Sequence, residues 1–311
     1  MKKIAFLFPG QGSQAVGMGK DVFEAHAEVR ERFQAAEEIT GLPVSRLCFE
    51  GPMAELTETV HLQPAVTTVN LAFLALLRRE GVTPHLALGH SLGEYSALCA
   101  AGVASEADTI RMVFKRGELM HREATRHQGA MAAIIGLSIE AVRELVSRVE
   151  EGIVSVANHN AETQIVITGS PGPVKKVSEL AAADRAKAVP LKVSGAWHSR
   201  LIQGAEAEFR EFLGTVPFHP PACGVIHNVT ADRMDDPGRI RGLMAEQLCS
   251  PVRWYDSMLR LMEEKVDVLV EVGPGKVLTG LARKIVPKEY PCAVYNVNDA
   301  ASLDAFLKEV A

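Results

Sequence analysis

The stretch Gly89-His90-Ser91-Leu92-Gly93 fits the pattern G-x-S-x-G, a spacing suited to a nucleophilic serine. The run before it, "HLALG" (85–89), predicts a short buried strand. The small residues from Leu92 to Ala101 predict a helix ended by Gly102. A serine between the two sits on a tight turn that pushes its hydroxyl out beside the positive end of the helix dipole. The Leu92 N–H, in the first turn, has no intrahelical partner and can receive a developing oxyanion. The competing reading is a serine that merely caps an ordinary strand–helix turn.

A serine nucleophile needs a base, and ten histidines compete for the role. His90 adjoins Ser91, but a tight turn directs it elsewhere. His198 stands where the chain leaves an inserted unit. His227, after a short apolar strand, is the second candidate. No Asp or Glu clearly adjoins either, so an ordinary Ser-His-Asp triad is not legible.

Arg116 is the third chemical feature. At 100° per residue, the helix from Asp108 to Arg122 gathers Asp108, Arg111, Lys115, Glu118 and Arg122 on one face. Arg116 falls in the apolar arc, between Met112 and Met120. A cation placed there needs an anion. That anion is either a distant carboxylate of the protein or a substrate carboxylate held in a two-pronged grip.

The elements that must position these groups alternate. "KIAFLF" reads as a strand, Asp21 to Ile39 as one charged helix, Val66 to Arg79 as an apolar helix, and Ser105 as the cap of the Arg116 helix, with Asp108 close to a capping box. Short apolar strands joined through helices argue for an α/β domain with a parallel sheet. The middle of the chain differs. Strands in "AMAAIIGL" (130–137), "GIVSVANHN", "TQIVITGS" and "AKAVPLKV", with helices over Ile139–Glu150 and Pro173–Ala183, make a β-α-β-β-α-β order, the ferredoxin-like signature. Beyond it come a helix over 198–213, a strand in "CGVIHNVTA", and a strand, Gly-Pro-Gly turn and helix in "DVLVEVGPGKVLTGLARKI". The expected division is a large domain from 1–126 and 198–311, with a small domain at 127–197.

The 311 residues are 47% hydrophobic and 23% charged, with net charge −5. That is ordinary for a globular protein and provides no basic footprint for nucleic acid or anionic membrane. Five cysteines with no CxxC pair argue against a disulfide framework or zinc knuckle and for a reducing, cytoplasmic setting. The apolar run before Pro9 is too short for a signal peptide or membrane span.

"FPGQGSQ", "GHSLGEYSAL", "RGELM", "VSGAWHS", "QLCSPVRW" and "VEVGPGKVLTGL" occur in that order. Together they resemble the malonyl-CoA:acyl carrier protein transacylases and the related acyltransferase domains of fatty acid and polyketide synthases, over Lys3 to about Ala282. The resemblance implies a hydrolase-like α/β core with a ferredoxin-like insertion, and malonyl transfer from malonyl-CoA to acyl carrier protein in fatty acid synthesis. It implies Ser91 as the acyl-carrying nucleophile, His198 as its base in place of His227, and Arg116 as the holder of the malonyl carboxylate. It further implies Gln247 as the residue whose backbone carbonyl orients the histidine, and Gln11 as the second oxyanion N–H beside Leu92. No metal or organic cofactor is implied; the partners are malonyl-CoA and the carrier protein, and the state is a monomer. One departure is Trp197, where many relatives have Phe; the larger indole narrows the pocket in favour of malonyl over branched acyl groups, the small Gly195-Ala196 pair works the other way, and the breadth of acyl groups stays open.

Three other readings compete. A serine esterase or thioesterase would use the same elbow, but its histidine comes late, after the acid. A transacylase of a polyketide assembly line would share every motif. A dinucleotide-binding module is suggested by Gly10-Gln11-Gly12-Ser13-Gln14-Ala15, which formally fits G-x-G-x-x-A. It lacks the second strand ending in an acid for the ribose.

Overall fold

The computed structural model describes residues 2–310. Its strands are β1 (Ile4–Phe8), β2 (Leu86–Gly89), β3 (Ala130–Ile135), β4 (Val154–Ala161), β5 (Gln164–Gly169), β6 (Lys187–Pro190), β7 (Gly224–Val225), β8 (Val268–Val272) and β9 (Ala293–Val297). Five of them form a parallel sheet in the order β7-β2-β1-β8-β9. The other four form a separate antiparallel sheet, β4-β5-β3-β6.

The sequence of β1, IAFLF, explains its central place. Ile4, Phe6 and Phe8 enter one core, while Ala5 and Leu7 enter another. All five residues are buried, as a parallel strand covered by helices on both faces requires. On the first face lie the helices Thr59–Arg79 and Gly93–Ala100, with the Arg116 helix, Glu106–Arg126, packed behind them; on the second lie Trp254–Glu263 and Val277–Ile285. The antiparallel sheet divides in the same way. Ala132, Ile134, Ile165 and Ile167 pack under its two helices, Ile139–Ser147 and Pro171–Ala183. Met131, Ala133 and Val166 point into the core of the larger body. Backbone bonds also tie the two bodies together: His159 N–H donates to Val252 O (2.9 Å), and Val252 N–H to Ala157 O (2.8 Å).

Some expected elements have different bounds. The segment Asp21–Ile39 is two helices, Lys20–Ala25 and Ala27–Thr40, broken at an extended His26. The break is stable because the Arg30 side chain donates to the Phe23 and Glu24 carbonyls (2.9 and 3.0 Å), which would otherwise lack partners at the first helix's end. The apolar helix begins at Thr59, not Val66, and carries Pro64 inside it. Proline forfeits one helical bond there, and burial of nearly all the helix's apolar residues offsets the loss. By length and composition this helix could cross a membrane, yet 89% of the relevant window is packed inside the fold. The helix expected from residue 198 starts after a one-turn 3-10 segment, Arg200–Ile202, capped by the Ser199 hydroxyl. His198 therefore stands outside it.

Ser105 caps the Arg116 helix as expected. Its Oγ accepts from Asp108 N–H at 3.0 Å, and its hydroxyl donates back to the Asp108 carboxylate at 2.6 Å.

Candidate active site

Strand β2 ends at Gly89 and the next helix starts at Gly93, so Ser91 must turn the chain within three residues. It does so with φ 51°, a left-handed conformation that costs an L-residue about 1–2 kcal/mol. The flanking glycines are required by contact. A Cβ on Gly89 would lie 1.9 Å from the Gly93 carbonyl carbon, and one on Gly93 would lie 1.9 Å from the Phe8 carbonyl oxygen. The turn is also latched from outside. Ser91 N–H donates to Asn228 Oδ1 (2.7 Å), and Asn228 Nδ2 donates to Gly89 O (2.7 Å).

Ser91 Oγ lies 2.8 Å from His198 Nε2. His198 is buried, and it too has a left-handed backbone, φ 57°. Its Nδ1 faces the carbonyl oxygens of Gln247 (2.9 Å) and Ser250 (3.1 Å). Carbonyls only accept, so Nδ1 carries the proton and Nε2 presents a lone pair to the serine hydroxyl. Burial, reinforced by the Arg116 cation, pushes the imidazole pKa down to about 3 and keeps the ring neutral. This tautomer is the one that a proton acceptor for Ser91 requires.

Arg116 is 1% exposed. Nη2 lies 3.2 Å from both Ser91 Oγ and Gln247 Oε1, and the guanidinium sits over the Tyr95 ring, 5.6 Å from its centroid. Among the described residues no carboxylate comes within ion-pairing distance, and Nε has no hydrogen-bond partner. Burial lowers the Arg116 pKa from its ordinary value. No carboxylate pairs with Arg116 directly, and Glu94 acts on it only through space, leaving a buried cation with donor capacity facing the cavity.

That cavity, about 100 Å³, is lined by Gln11, Ser91, Leu92, Arg116, Trp197 and His198, with Met120, Met131, Leu191 and Val193 on its apolar side. It is small beside the roughly 300–1,000 Å³ of a drug-sized pocket, on the scale of a short acyl group. Leu92 and Gln11 each have a backbone N–H with no protein acceptor among the described residues. His90 also lines this space, but its Nε2 engages Asn160 Oδ1 at 2.8 Å, away from the serine hydroxyl.

His227 is completely buried, with Nδ1 2.8 Å from Glu94 Oε1. It does not contact Ser91. Sequence reasoning missed Asn228, Glu94 and Asn160, which are joined to the site by bonds spanning 70 to 153 positions. Only the adjacency of Asn228 to a singled-out histidine, and the place of Glu94 in the elbow stretch, hinted at them.

Comparison with known proteins matches residues 5–305 to the acyl transferase domain family. The chain belongs to this family. The malonyl CoA-acyl carrier protein transacylase of Bacillus subtilis (strain 168) is 45% identical over 92% of this chain and 91% of its own. Among solved structures, an acyl carrier protein S-malonyltransferase from Vibrio cholerae superposes with TM-score 0.93 at 40% identity, covering 98% of this chain and 99% of that one. A type II PKS acyl-carrier protein in complex with its malonyl-transacylase offers a second acyl transferase neighbour, with TM-score 0.94, 37% identity and 99% coverage of both chains.

Proposed function

We propose that this acyl transferase moves a malonyl group from malonyl-CoA to the phosphopantetheine thiol of acyl carrier protein, in fatty acid synthesis, through a malonyl-serine intermediate. The observation that carries the reading is the buried Arg116 cation. It has no carboxylate partner among the described residues, and Nη2 lies 3.2 Å from Ser91 Oγ. A plain esterase has no use for such a group, whereas an acyl chain ending in a free carboxylate supplies the missing anion.

In the first half-reaction His198 Nε2 takes the Ser91 proton as Oγ attacks the thioester carbonyl. The Gln11 and Leu92 N–H groups receive the oxyanion; a donor of this kind typically lowers the barrier by about 2.7–4 kcal/mol. The intermediate collapses with loss of the CoA thiolate, a ready leaving group because thiols ionise near pKa of about 8.5, and His198 returns the proton to it. The carrier's thiol then gives its proton to His198 and attacks the ester, and Ser91 leaves and recovers that proton. Ping-pong kinetics follow. The carbonyls of Gln247 and Ser250 stand where a triad has its acid, and no step draws on a metal or organic cofactor. Arg116 holds the malonyl carboxylate, and Trp197 closes the pocket against branched acyl groups.

We read residues 1–126 and 198–311 as a hydrolase-like catalytic domain and 127–197 as a ferredoxin-like insertion. The strand order β4-β5-β3-β6 supports the latter. The five unpaired cysteines support a cytoplasmic location, and we take the working unit to be a monomer.

The test is partition. Protein loaded with labelled malonyl-CoA should deliver label to phosphopantetheinylated carrier protein much faster than to water. Release mainly as free malonate would favour a thioesterase and overturn the reading.

A further inference from the structure

Behind the elbow lies a buried carboxylate that the reaction above does not use. Glu94 is 1% exposed and is surrounded by donors. Oε1 faces His227 Nδ1 at 2.8 Å; Oε2 receives Gln247 Nε2 at 2.5 Å and the Asn228 backbone N–H at 3.3 Å. Glu94 itself forms no hydrogen bond to Ser91 Oγ, His198 or the Arg116 guanidinium. Its neighbours reach His198, Arg116 and the Ser91 main chain.

The orientation of the Gln247 amide is decisive. A carboxylate only accepts, and so does the Ser91 carbonyl, which lies 3.1 Å from the same Nε2. With both acceptors on one side, Nε2 must face them and Oε1 must face the other way. That is where Arg116 Nη2 lies, at 3.2 Å. Turned over, the amide would point its NH2 group at a cation and its oxygen at a carboxylate. The main-chain carbonyl of Gln247 meanwhile fixes His198 Nδ1. On the other flank, Asn228 is tied to Glu94 by its backbone N–H and accepts the Ser91 N–H with its side chain. Both the N–H and the C=O of Ser91 are therefore held by residues bonded to Glu94.

Resting on the malonyl-transfer reading, we propose that Glu94 is a positioning residue: one buried carboxylate that, through Gln247 and Asn228, sets the register of the Ser91 turn and aims Arg116 at the acyl carboxylate. His227 occupies its remaining oxygen and fills the space beneath.

Glu94→Gln tests this, because it keeps size and shape but lets the 247 amide adopt either orientation. Displacing a reacting group by about 1 Å costs on the order of 100-fold in rate. The variant should unfold at a temperature near that of the parent protein, while kcat/KM for serine acylation by malonyl-CoA falls by at least about 10-fold. Its preference for malonyl-CoA over acetyl-CoA should shrink as well. Gln247→Leu, which keeps the backbone carbonyl, should show the same loss of preference, and the double variant should be no worse than the more impaired single one. Parental kcat/KM and selectivity in folded Glu94→Gln would overturn the proposal, as would additive losses in the double variant. If Glu94→Gln does not fold, Gln247→Leu decides: retained malonyl preference there overturns it. The parent protein, assayed alongside, separates the two claims, since failure of the parent to acylate Ser91 defeats the functional reading itself.

Discussion

Among the described residues, five non-glycine residues have a left-handed backbone; two of them are Ser91 and His198, and they meet at 2.8 Å. Backbone strain at two groups in mutual contact is what a preorganised reaction centre stores. Arg116 acts on both. Its charge disfavours the imidazolium, so the free His198 stays a neutral acceptor to lower pH than burial alone would allow. A bound malonyl carboxylate would offset that charge and make His198 more basic when the substrate is the right one. Arg116→Ala should therefore have two effects. Malonyl transfer should fall about 10- to 100-fold relative to acetyl transfer, the worth of a charge-assisted pair. The acid limb of serine acylation by acetyl-CoA should also move to higher pH, because removing the cation raises the His198 pKa. Equal losses for both acyl groups and an unmoved limb would contradict the assignment. At this scale the sequence was informative where a residue broke a local pattern: a serine between glycines, an arginine in an apolar arc. It only hinted at Glu94 and Asn228, whose partners are joined by folding.

At the scale of elements, the site depends on three turns meeting at the ends of parallel strands: the loop after β1, the elbow after β2 and the loop around Asn228 after β7. The close approach of the elbow to β1 leaves no room for a methyl group at Gly93. Gly93→Ala should cost about 1–3 kcal/mol by overpacking and depress acylation at Ser91, as read by thermal unfolding and labelling. Gly172→Ala is the matched control: it lies in the helix Pro171–Ala183 with nothing near an added Cβ, and should be neutral or gain about 0.5–1 kcal/mol. Equal behaviour of the two would contradict the packing argument. Strands were legible because residues such as those of β1 are apolar on both faces. The break at His26 was not, since the Arg30 side chain that stabilises it acts across six or seven residues. Nor was the start of the Thr59 helix, because Pro64 reads locally as a stop signal.

At the scale of the whole molecule, the parallel sheet carries Ser91 and the antiparallel sheet borders the same cavity, with Met131 from β3 and Leu191 and Val193 beyond β6 in its lining. The order of strands along the chain made two bodies legible in outline. Their mutual arrangement was not, because it rests on non-local bonds such as those between Val252 and β4. The pocket between them, about 100 Å³, is the volume in which the acyl group is predicted to rest as an ester. The most direct measurement is mass spectrometry of the protein after brief exposure to malonyl-CoA, with peptide mapping. The account predicts an adduct of malonyl mass on the peptide containing Ser91, discharged by phosphopantetheinylated carrier protein and absent from Ser91→Ala. An unmodified Ser91 peptide, or an adduct that persists in Ser91→Ala, would contradict it.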